Sequence, residues 1–133
     1  MNIKRYITAT SALFLFIIIS GRILHGYGLD DLYNSTASLW RSEAALEQNM
    51  YYFWISRLIL SALITYFFAT VYSHGGWKSG MRFGLFFGLI SAIFSGTWYF
   101  WLPVPAYLGW SWFFISFVET FLGCSLVGII YRK

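Results

Sequence analysis

Three charged side chains stand inside stretches that otherwise read as hydrocarbon: Glu119 in WSWFFISFVETFLGCSLVGIIY, Arg57 in YFWISRLILSALITYF and Arg22 in IIISGRILHG. An ionised group in a bilayer core costs at least about 3 kcal/mol. Each of the three therefore needs a partner, a proton or water. A long arginine at position 57 can close a few ångströms of depth and reach the carboxylate at 119. That pair has two readings. It is a clasp that locks two helices, or it is a proton or solute site; snorkelling of the arginines to the lipid surface is the third alternative. A buried pair need not stabilise at all, because desolvation offsets attraction, so the solute reading stands beside the clasp.

Other chemistry is thinner. His25, Asp30, Asp31, Trp40 and Arg41 share one polar stretch and form a candidate external site. Neither His25 nor His74 has a Cys, His or acid at metal-ligand spacing within its own helix,. The two histidines fall at opposite ends of spans across a core of about 30 Å, so no single haem takes both. The run SHGGWKSG lacks the GxxxxGK[ST] order of a phosphate-binding loop,. Cys124 is the single cysteine, which excludes an internal disulfide or a CxxC redox pair,. No nucleophile, base and acid assemble into a catalytic set, and no metal or cofactor is expected.

The elements that must carry these residues follow from composition. The chain is 59% hydrophobic and only 11% charged, against about 25% charged in soluble domains. A soluble core of 133 residues could not hide so many large apolar side chains. Lipid must cover them. Stretches of about 20 apolar residues suffice to span, and four approach this length: 6–24, 52–73, 83–102 and 110–131. The expected fold is all-α, one four-helix transmembrane bundle of up-down topology filling residues 1–133. Lys4 and Arg5 before an apolar run resemble a signal peptide, but no A-x-A-like site follows, so the run reads as a retained first helix,.

Lys4, Arg5, Lys78, Arg82, Arg132 and Lys133 flank the spans on one side, against Arg41 alone in the long acidic loop 25–51. Cytoplasmic flanks collect Lys and Arg, which puts both termini in the cytoplasm and the long loop outside. The net charge of +4 is spread over helix ends, so topology explains it and nucleic acid does not,. Within the loop, SEAALEQNM reads as a short interfacial helix with Ser42 as N-cap and Glu43 in the first turn,. Six of the seven tryptophans, all but Trp77, fall at or near the outer interface, either as lipid anchors or as the rim of a vestibule,.

Small residues recur every fourth position. The third span carries Gly80, Gly84, Gly88, Ala92 and Gly96; the second Ser61, Thr65, Ala69 and Ser73; the fourth Ser116, Thr120, Cys124 and Gly128. Such ladders let helices approach closely, and one left over could pair copies of the chain. Pro103-Val104-Pro105 forces a non-helical turn between the last two spans,.

At His25-Gly26, Tyr33, Thr36-Ala37-Ser38-Leu39-Trp40-Arg41, the glycine ladder and Pro103-Val104-Pro105, the chain resembles a group of small four-helix bacterial membrane proteins of unknown function. The resemblance implies a bacterial inner-membrane location and carries no activity. It differs from small multidrug exporters, whose membrane glutamate is on the first helix. The expectation is a non-enzymatic membrane protein, structural or accessory, with the lipid bilayer and a second copy or another membrane protein as partners. The alternative is a small transporter or proton-coupled carrier using Arg57 and Glu119.

Overall fold

The computed structural model describes residues 1–72 and 76–131. His74, Ser73 and the basic pair Arg132 and Lys133 lie outside the described residues. Every regular element among them is helical: α1 (Ile3–Gly26), α2 (Asp30–Ser35), a 3-10 turn (Ala37–Leu39), α3 (Glu43–Gln48), α4 (Met50–Val71), α5 (Trp77–Trp101) and α6 (Ala106–Ile130). The fold is all-α, and α1, α4, α5 and α6 are each long and apolar enough to cross a membrane. Their outward faces explain why lipid is needed. On α1, Ile3, Ile7, Leu15, Ile19 and Ile23 are all more than half exposed. Water would be a poor solvent for that stripe.

The helices outrun the apolar stretches. α5 begins at Trp77, six residues before the expected start, because Lys78 and Arg82 can extend their stems along the helix and keep their charges at its end,. α6 begins at Ala106 because Pro105, with φ −60° and ψ 145°, already holds the geometry of a residue that starts a helix,. The long connection is not one loop with one helix. It holds α2, the 3-10 turn and α3. Asn2 caps α1 by accepting from the Arg5 N–H, and Ser42 caps α3 by accepting from Ala45,.

α5 and α6 form the closest pair. The glycine ladder makes this approach. A methyl group on Gly80 would lie 2.7 Å from the Cys124 carbonyl oxygen, and one on Gly128 would lie 2.6 Å from the Gly80 Cα. Gly84 and Gly88 receive Phe121 and Phe117 of α6. The Gly76 N–H also donates to the Gly128 carbonyl at 2.8 Å. On α6 the lower part of the expected ladder, Cys124 and Gly128, packs directly on the glycines of α5. A four-residue step advances about 40° around a helix of 3.6 residues per turn. Ser116 and Thr120 are therefore rotated toward the cavity, although the Ser116 hydroxyl still reaches Ser95 of α5.

Two cores close the ends of the bundle. At the end that carries the termini, Phe68, Phe83, Val127, Cys124, Ile64 and Tyr131 pack together, with Tyr72 stacked on Phe68 at 5.0 Å. The Asn2 N–H donates to the Tyr131 phenol at 3.3 Å, so both termini lie at this end. At the other end, Leu29, Val104 and Leu108 form a smaller core that includes Tyr33, Trp40 and Trp112. α4 meets α5 through Phe67, Phe68, Tyr72 and Phe83 in the terminal half. The backbones of α4 and α5 do not run alongside one another. The space they leave is the main cavity.

Candidate functional site

Glu119 is held from α1. Its Oε1 lies 2.6 Å from Ser20 Oγ, and Gly21 leaves room beside the carboxylate, since a Cβ there would sit 3.7 Å from the same oxygen. The Ser20 hydroxyl is itself anchored on its own helix, 2.8 Å from the Phe16 carbonyl and 3.5 Å from that of Ile17. Oε2 makes no hydrogen bond among the described residues.

The direct Arg57–Glu119 ion pair does not form. The guanidinium of Arg57 makes no hydrogen bond or ion pair among the described residues, and it lies 5.2 Å from the ring centroid of Phe53. The reason is helix order: α6 packs against α1 far more than against α4, so Ser20 takes the contact that charge alone would assign to Arg57. With α6 starting at Ala106, Glu119 is thirteen residues in, about 20 Å from the helix start,. Both charges nonetheless line one cavity of about 410 Å³.

The cavity runs from the middle of the bundle to its loop end. Leu13, Ile17, Leu60 and Ile64 supply its apolar side. Ser91, Ser95, Ser116 and Thr120 supply hydroxyls, with the Ser116 O–H donating to Ser95 Oγ at 2.7 Å. Trp40, Trp98 and Trp112 stand at the loop end. Three of the tryptophans expected at an interface are thus cavity walls.

His25 also lines the cavity, and a polar chain anchors it. The Trp112 indole N–H donates to the Tyr33 phenol oxygen at 2.7 Å. His25 Nδ1 is 2.9 Å from the same oxygen. Since indole can only donate, the Tyr33 oxygen accepts from Trp112 and its own proton is available to the His25 Nδ1. Trp40 donates its indole N–H to Thr36 Oγ1 at 2.9 Å and packs edge-on against Tyr33 and Trp112. Burial holds the Tyr33 phenol above its usual range, against a smaller lowering by the Trp112 N–H.

The other expected site residues disperse. Arg22 is exposed, outside the cavity, with its side chain running beside Gly26 toward the loop end, as a snorkelling arginine does,. Asp30 is exposed and accepts from Asn34 at 3.1 Å; Asp31 is exposed beside it in the first turn of α2, where a helix favours acids,. Arg41 is exposed and makes no ion pair or hydrogen bond among the described residues. Of the external set, only His25 and Trp40 come together. Among the described residues no three His, Cys, Asp or Glu side chains converge on a metal position. Ser20, Tyr33, Ser91 and Ser95 are the site residues that sequence reasoning missed. Ser91 and Ser95 share the four-residue spacing of the glycine ladder, one residue ahead of Ala92 and Gly96, and that offset was a legible signal.

No protein-family model, curated protein or solved structure matches the chain.

Proposed function

We propose that this chain is a non-enzymatic, multi-pass protein of the bacterial inner membrane, and that its cavity takes up a small polar solute from the external side, as a small carrier does. The observation that carries this reading is Glu119, which faces a cavity of about 410 Å³ and is not sealed in an ion pair with Arg57. A clasp would spend both charges on each other. Here each is left toward a common space, beside His25 and four hydroxyl groups. The cationic flanks support placing the termini in the cytoplasm, which makes the loop end external,.

The reading is tested by the water accessibility of Ser95. In a Cys124→Ala background, Ser95→Cys is expected to react with a membrane-impermeant thiol reagent added outside. A Ser95→Cys protein that stays unreactive until it is denatured overturns the reading.

A second reading, a structural or accessory component that associates through α5 and α6, is favoured by one observation. A shallow groove of about 340 Å³ lies on those helices, floored by Gly96, Ala106 and Gly109 and rimmed by Tyr99, Trp110 and Phe113. Such a small-residue floor suits a partner helix. Light scattering of the purified protein separates the cases: a stable dimer that Thr97→Trp returns to monomer supports association there.

A further inference from the structure

Two unlike charges line the same cavity, and neither is spent on the other. Arg57 presents its donors with no acceptor among the described residues, apart from the face of Phe53. Glu119 presents Oε2 without a donor among the described residues, while Oε1 is steadied by Ser20. A charge in a membrane interior is normally paired. A site that holds one cation and one anion apart, and leaves both toward a common space, is complementary to a molecule carrying the opposite pair. Donors of Arg57 suit a carboxylate, because the guanidinium fork matches its two oxygens. Glu119, with Oε2 open, suits an ammonium group.

The rest of the wall agrees. Ser91, Ser95, Ser116 and Thr120 can meet the remaining polar atoms, and Leu60, Ile64, Trp98 and Trp112 offer apolar surface for a hydrocarbon or aromatic part. A divalent cation fits less well, since no three acidic, histidine or cysteine ligands converge, and Arg57 would repel it. A simple anion would face Glu119, and a simple amine would face Arg57.

We infer that the ligand is a zwitterion of the amino-acid class, with its carboxylate on Arg57 and its ammonium on Glu119. This rests on the solute-binding reading above. It goes further by naming the two charges the ligand must carry and the residue that meets each.

The test is protection of the Ser95→Cys protein, in the Cys124→Ala background, from the thiol reagent. The probes are a spacing series (glycine, β-alanine, 4-aminobutyrate and 6-aminohexanoate) with phenylalanine. The controls carry one charge each: butylamine, butyrate, phenethylamine and 3-phenylpropionate. At least one zwitterion is expected to protect at a concentration tenfold or more below its single-charge analogues. Glu119→Gln is expected to bring that zwitterion to the level of the matching acid, and Arg57→Gln to the level of the matching amine. Protection by no zwitterion, or equal protection by the single-charge analogues, overturns the inference and leaves the solute-binding reading standing as long as Ser95→Cys reacts. A Ser95→Cys protein that does not react at all defeats both. Circular dichroism and elution volume of the two charge variants confirm that a lost preference is not a lost fold.

Discussion

At the level of single residues, charge pointed to Glu119 and Arg57, which line one cavity without pairing to each other among the described residues. Glu119 and Arg57 stand out in any reading of the chain because lipid-covered helices rarely hold them. Their neighbours depend on which helices touch, and periodicity within one helix carries no such information. Ser20 therefore carries no mark in the sequence, although it holds the carboxylate at 2.6 Å. Tyr33 was equally hidden. It sits in a short helix outside the spans and serves as the shared oxygen between His25 and Trp112. Tyr33→Phe leaves the Trp112 N–H without its acceptor, and a lost partner of this kind costs about 1–3 kcal/mol. The expected result is a lower midpoint of thermal unfolding in detergent, and His25 free to turn within the cavity.

The same tyrosine sets a pH dependence. Its phenol is protonated more firmly in the folded chain than the usual value of 10.0, chiefly through burial. The folded state then holds more protons than the unfolded one above that value. Stability from this group is complete below about pH 10 and falls as pH rises beyond it. Unfolding midpoints of the native and Tyr33→Phe proteins, followed from pH 8 to 11, are expected to converge toward the alkaline end. A gap that stays constant would contradict the burial of the phenol.

Among the elements, the glycine ladder of α5 was legible because close helix approach leaves a plain mark in the sequence. Its partner was half legible. Cys124 and Gly128 meet it, while Ser116 and Thr120 rotate into the cavity. Helix ends were the least legible feature, since hydropathy reports the apolar stretch and capping residues such as Pro105 decide where the helix begins. The ladder gives a graded prediction. At Gly84 a side chain would start 2.7 Å from the Phe121 carbonyl oxygen, a backbone atom that cannot yield. At Gly96 the neighbour is the Phe113 ring at 3.2 Å, which can turn. Gly84→Leu is expected to cost about 3 kcal/mol or to prevent folding, whereas Gly96→Ala stays within about 1 kcal/mol. Thermal unfolding in detergent, read by elution volume, checks both.

For the whole molecule, the four long helices follow from composition alone, and the cavity does not. It exists because α4 leans on α5 through aromatic rings at the terminal end while the α5/α6 pair and α1 hold the opposite wall. Cores at both ends leave the middle to Glu119, Arg57 and the hydroxyls. The reading of this space as an external binding cavity requires the loop end to face outward. Alkaline phosphatase fused after Arg41 is expected to be active in a bacterial host, and a fluorescent protein fused after the C-terminus is expected to shine. The reverse pattern would turn the molecule over and put the cavity on the cytoplasmic side.

The central claim is that water and small solutes reach the middle of the bundle from the loop end. It is tested most directly by comparing Ser95→Cys, on the cavity wall, with Ile93→Cys, exposed on the outward face of the same helix. Both are made in the Cys124→Ala background and treated outside intact cells with a membrane-impermeant thiol reagent. The expected result is labelling of Ser95→Cys at least tenfold faster than Ile93→Cys. Equal, negligible labelling of the two positions would contradict the account.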